Sequence, residues 1–103
     1  MGPSTLLERL MELAERQRRA AVAFDLVEVD ATTRARADLL FELRVRLGRG
    51  LEGEEKERVR ALLPSYRRAE DRLAKVVGNV ARALQPPPER VSTYGRRGAL
   101  RGR

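Results

Sequence analysis

The 103-residue chain contains no cysteine and no histidine. Disulfides, thiol chemistry and imidazole acid–base catalysis are excluded together, along with most zinc and transition-metal sites. Aromatic residues are scarce, with two Tyr, two Phe and no Trp. No apolar run approaches the ~20 residues that a membrane span needs. No signal-peptide pattern opens the chain, so a cytoplasmic location is expected. Nothing alternates apolar and polar residues as a half-buried strand does. Lysine is nearly missing as well, with Lys56 and Lys75 against 20 Arg.

What is present is Leu, Ala, Val, Glu and Arg at helical spacing. The strongest pattern runs from Val59 through Leu62, Tyr66, Ala69, Leu73 and Val76 to Val80, widened by Leu63, Val77, Ala81 and Leu84. Steps of three and four alternate without a miss, which marks one face of a helix. Such a stripe must be buried against something, and two earlier segments offer partners.

The first is a helix opening near Thr5, with Glu8 three residues on as a capping box and Pro3 in the non-helical approach. Its seam is Leu6, Leu10, Leu13, Gln17, Ala20 and Phe24, with Ala14, Ala20 and Ala21 small enough for close approach. Gln17 is a polar residue of the kind that fixes register. The second is a helix from about Leu26 or Asp30 to Leu47, capped by Asp25 or Asp30. Leu39, Leu40, Leu43 and Leu47 form its stripe, Phe41 and Val45 widen it, and Arg34 and Arg36 fall near the seam with their heads expected to reach water.

Gly48-Arg49-Gly50-Leu51-Glu52-Gly53 spells G-x-G-x-x-G. A dinucleotide site requires a strand before it and a βαβ unit around it. A helix precedes it here, so the segment reads as a helix C-cap at Gly48 and a connection to a third helix near Gly53. Pro64 interrupts that third helix. Because the stripe continues in phase, the expectation is a kink, or a short helix 54–63 abutting a longer one over 64–84.

Pro86-Pro87-Pro88 ends helix formation. Residues 85–103 carry five Arg against Glu89, whereas residues 1–84 carry 17 basic and 14 acidic side chains. The tail holds only Val91, Tyr94 and Leu100 as sizeable apolar groups and is expected to be disordered alone. The domain reading is a helical body over 1–85 and a Pro-led, Arg-rich tail over 86–103. The fold class is all-α, an elongated antiparallel three-helix bundle.

No catalytic constellation emerges. Ser4, Thr5, Thr32, Thr33, Ser65 and Ser92 have no His partner, and the carboxylates lie scattered on charged faces. Neither enzyme activity nor a cofactor or metal is expected.

Three segments together carry a family resemblance: the first helix ending in Phe24-Asp25-Leu26, the stretch DATTRARADLLFEL (Asp30–Leu43) and the tail STYGRRGALR (Ser92–Arg101). They resemble the FlgN-type flagellar export chaperones. The matching positions are Asp25-Leu26, Thr32 or Thr33, Ala37 through Leu40, and Thr93-Tyr94-Gly95 with Gly98. Family members are usually longer and often acidic, and Arg96-Arg97 stands where Pro-Asp is often seen. The resemblance implies a cytoplasmic chaperone that binds terminal helices of hook-associated proteins and hands them to the type III export gate. Client binding would fall to Leu73, Val76, Val77, Val80, Leu84 and Val91, and export-gate docking to Tyr94. Two other readings compete: a helical adaptor whose Arg-rich tail binds nucleic acid, and a homodimeric coiled coil joined through the heptads of helices one and three.

Overall fold

The computed structural model describes residues 1–85. It contains three helices in the order α1 (Pro3–Val22), α2 (Leu26–Gly48) and α3 (Gly53–Leu84). Among the described residues there is no strand. The tail from Pro86, with Val91 and Tyr94, lies outside them.

The helices run up, down and up, and α1 packs against both of the others. Two contacts show α1 and α2 to be antiparallel. Arg16 near the end of α1 pairs with Glu28 near the start of α2 at 2.8 Å, and Arg46 near the end of α2 donates to the Met1 carbonyl. Ser4 of α1 meets Glu55 of α3, so those two helices start at the same end and run parallel.

The middle position of α1 explains why its buried face is wider than one heptad seam. Leu6, Leu7, Leu10, Ala14, Gln17, Ala20 and Ala21 are all buried. Leu13 is only half-buried and Phe24 is exposed, so the predicted seam loses its last member. The alanines are buried, in keeping with the close approach expected of them.

The start of α1 differs from the sequence reading. The helix begins at Pro3, whose missing N–H costs nothing in the first turn. Thr5 is then inside the helix and exposed, and no side chain of its own segment caps it. The carboxylate of Glu55 takes that role from α3, accepting from the Ser4 amide at 2.8 Å and from Ser4 Oγ at 2.9 and 3.0 Å. An anion at the positive end of a helix dipole is favourable.

Asp25 caps α2 as expected, accepting from the Glu28 amide at 3.1 Å. Between α1 and α2 lies a tight turn. Asp25 donates its amide to the Ala20 carbonyl at 2.8 Å and Phe24 to that of Ala21 at 3.1 Å. This paired arrangement ends a helix through one left-handed residue, ordinarily Gly. Here it is Phe24, at φ 55°.

In the glycine-rich connection, Gly48 is the last residue of α2. The left-handed positions fall at Gly50 (φ 90°) and Gly53 (φ 61°), not at Gly48. A loop between two helices bears no likeness to a dinucleotide fold. At Pro64 the structure shows neither a split nor a new element: α3 is one helix of 32 residues. Pro64 is exposed, and the Arg60 carbonyl that loses its amide partner belongs to an exposed residue that water can reach.

The core is lopsided. Leu6, Leu7, Leu10, Leu43 and Val59 cluster at the end where α1 and α3 begin, with Leu39, Leu40, Leu51, Leu62, Leu63 and Tyr66 packed against them. Toward the α1–α2 turn the buried residues are Ala14, Gln17, Ala20, Ala21, Thr32 and Leu73. Fully burying a Leu contributes about 2 kcal/mol and an Ala far less, so most of the packing energy is held at one end. Phe41 and Val45 do not widen the core stripe of α2. They are 67% and 40% exposed, on the face turned away from α1 and α3.

Candidate interaction surface

The apolar stripe of α3 is longer than the body that covers it. Ser4 and Glu55, 51 residues apart, set the offset between the parallel helices. Val22, the last residue of α1, then falls about level with Leu73, the last buried residue of α3. The eleven residues after Leu73 are three more turns, roughly 16 Å of helix. Over those turns the stripe keeps its phase while its partner helix has ended. Val76 and Val80 are half-buried, Val77 is 37% exposed and Leu84 is 56% exposed.

The α1–α2 turn lies at this same end and is apolar too. Val22, Phe24 and Leu26 are exposed, each at more than half of its full area. Phe24 is doubly unusual, as a large apolar residue held both in solvent and in the left-handed region. A bulky side chain there costs on the order of 1–2 kcal/mol relative to glycine. Strain of this kind persists only where the surrounding structure imposes it, and it clusters at functional sites.

A polar girdle divides this end from the Leu-rich one. Arg36 of α2 donates to Gln17 Oε1 of α1 at 3.4 Å and forms an ion pair with Glu70 of α3. The guanidinium, far from reaching water as its position suggested, ties all three helices together with its side chain only 14% exposed. Gln17 is buried in the girdle, at the seam position expected of it. Satisfaction is incomplete, since Arg36 Nε and Glu70 Oε2 are buried without a hydrogen-bond partner among the described residues. Burial next to the girdle also pushes the Tyr66 phenol above its ordinary pKa, with the Glu70 carboxylate adding to the effect. At the opposite end, the two hydrogen bonds from Ser4, backbone first, hold the Glu55 carboxyl below the usual carboxylate range.

Of the predicted client-binding residues, Val76, Val77, Val80 and Leu84 share the projecting turns of α3. Leu73 is 4% exposed and belongs to the body's own packing. Val91 and Tyr94 lie outside the described residues. Val22, Phe24 and Leu26 were missed, because heptad counting assigned Phe24 to the α1 seam. The signal available was Asp25 as an N-cap, which requires α1 to end before it and so places Phe24 in the turn. The heptads of α1, and those of α3 as far as Leu73, are occupied by internal packing, whereas the α3 heptads beyond Leu73 are not.

Among the described residues, no cluster of acidic side chains could hold a metal ion, and no helix is long and apolar enough to cross a membrane. Comparison with family models, with curated proteins and with solved structures found no match to this chain.

Proposed function

We propose that this chain is a helix-binding export chaperone of the FlgN type, which holds terminal helices of hook-associated proteins in a secretion-competent state in the cytoplasm. The observation that carries the reading is the uncovered continuation of the α3 stripe, Val77 to Leu84, at the same end of the body as the exposed Phe24 and Leu26. An amphipathic client helix laid along those turns supplies the apolar partner that α1 stops supplying after Val22. Each Å² of apolar surface buried contributes ~25 cal/mol before ordering costs. The light packing at this end, with alanines and a polar girdle where the other end has leucines, suits a surface completed by a partner.

The family resemblance points to the class of client, a hook-associated protein, and Tyr94 is the proposed point of contact with the export gate. The test is retention of cytoplasmic proteins from a flagellated bacterium on the tagged full-length chain, washed at low and at high salt. A hook-associated protein that stays bound at high salt supports the reading, because apolar contacts resist salt. Retention of nucleic acid that leaves with salt, and of no hook-associated protein, contradicts it.

A further inference from the structure

The second helix carries two apolar faces. One is the core face, centred on Leu43 and Thr32. On the opposite face Val27, Ala31, Arg34, Asp38, Phe41 and Val45 recur at steps of four, three, four, three and four, which is a complete heptad seam. All six are exposed; Val27 is 83% and Phe41 67% exposed. A helix apolar on both sides is normally covered on both sides, yet only one side of α2 is covered here.

We propose that this outer face pairs with α2 of a second copy of the chain, antiparallel, about a two-fold axis level with Arg36. In that register Val27 meets the partner's Val45, Ala31 meets the partner's Phe41 and Arg34 meets the partner's Asp38. The symmetry makes every meeting occur twice. Apolar residues face apolar ones and each charge faces its opposite, with no seam position left over. On the flank, Asp30 comes diagonally near the partner's Arg44.

The alternatives pair badly, and that gives the register its specificity. A shift of one heptad in one direction sets Asp38 against the partner's Phe41 and Arg34 against the partner's Val45. A shift in the other sets Val27 against the partner's Asp38. A parallel pair places Arg34 on Arg34 and Asp38 on Asp38, which like-charge repulsion opposes. Among the described residues Arg34 pairs with Asp30 alone, at 3.2 Å, in an ion pair exposed to solvent on both sides. The partner's Asp38 adds a second carboxylate to the same guanidinium. The contact lies on the face of α2 opposite the core and reaches the client end only at Val27, so the charge swaps at Arg34 and Asp38 test it separately from client binding.

Sedimentation equilibrium of the full-length chain over a range of micromolar concentrations tests this. The wild type is expected to self-associate to a dimer. Arg34→Asp sets acid against acid twice and Asp38→Arg sets base against base twice, so each is expected to weaken the dimer at least about tenfold. The double swap restores both pairs and is expected to return the affinity close to wild type. Phe41→Glu is expected to give a monomer whose helical circular dichroism is unchanged, since the residue touches no core. A chain monomeric throughout the range overturns the proposal. So does a dimer indifferent to both single swaps, a double swap no tighter than the singles, or a dimer lost only on Leu84→Asp.

Discussion

Glu55 closes the first turn of α1 from across the bundle, accepting the Ser4 amide at 2.8 Å and the Ser4 hydroxyl at 2.9 Å. One carboxylate thus caps a helix and fixes the offset of two parallel helices, and that offset leaves three turns of α3 uncovered at the far end.

The lowered Glu55 pKa makes this cap sensitive to acid. A carboxyl whose folded pKa is depressed contributes stability that is complete above its unfolded value of roughly 4.3 and is lost as pH falls through the lower folded value. Glu55→Gln is therefore expected to lower the thermal midpoint at pH 7 and to flatten its decline through that acid window. Thermal unfolding followed by circular dichroism from pH 7 down to pH 3 reads both effects. An unchanged slope would remove Glu55 from the account of acid unfolding.

Phe24→Gly relieves a left-handed residue of its side chain. The expected result is a gain of about 1 kcal/mol in urea unfolding, together with weaker binding of a client helix. A loss of stability would mean that the Phe24 ring contributes more packing than its 51% exposure suggests.

Leu10 is fully buried in the Leu-rich end. Leu10→Ala is expected to cost about 3 kcal/mol, a large share of the stability of a domain this small. Leu84→Ala, at the exposed end, is expected to change stability by less than about 0.5 kcal/mol. Paired urea titrations of the two variants measure how lopsided the core is.

The Arg36–Glu70 pair predicts a characteristic asymmetry. Removing one partner, as in Arg36→Ala, strands a partly buried carboxylate and is expected to cost about 2–3 kcal/mol. Replacing both, as in Arg36→Met with Glu70→Leu, is expected to be near neutral. A double-mutant cycle in urea measures the difference, and additive losses would show that the pair is not coupled.

Local signals were enough for much of this fold. Asp25 before an apolar-periodic run, the Gly48–Gly53 connection and the unbroken stripe from Val59 to Val80 located three helices to within a few residues. What the sequence did not disclose depended on distant partners. Thr5 and Glu8 have the spacing of a capping box, but Ser4 is held by a residue 51 positions away. Arg36 reads as a surface arginine until Gln17 and Glu70 are brought to it. Phe41 and Val45 fall within reach of the α2 stripe by counting, yet only the placement of α1 and α3 decides which side of α2 is inside. The candidate surface was half legible for the same reason. Periodicity marks Val76 to Leu84 as apolar, but where α1 stops is set by the Phe24 turn and the Ser4–Glu55 offset.

The central claim, that the projecting turns of α3 take an amphipathic client helix, is tested most directly by fluorescence anisotropy. A labelled peptide of a hook-associated protein's terminal helix is titrated with the full-length chain, and with Val77→Asp and Leu84→Asp variants of unchanged helicity. Binding that persists at high salt and weakens at least about tenfold in each variant is the predicted result. Binding of equal strength to all three proteins, or binding that vanishes with salt, would contradict the claim.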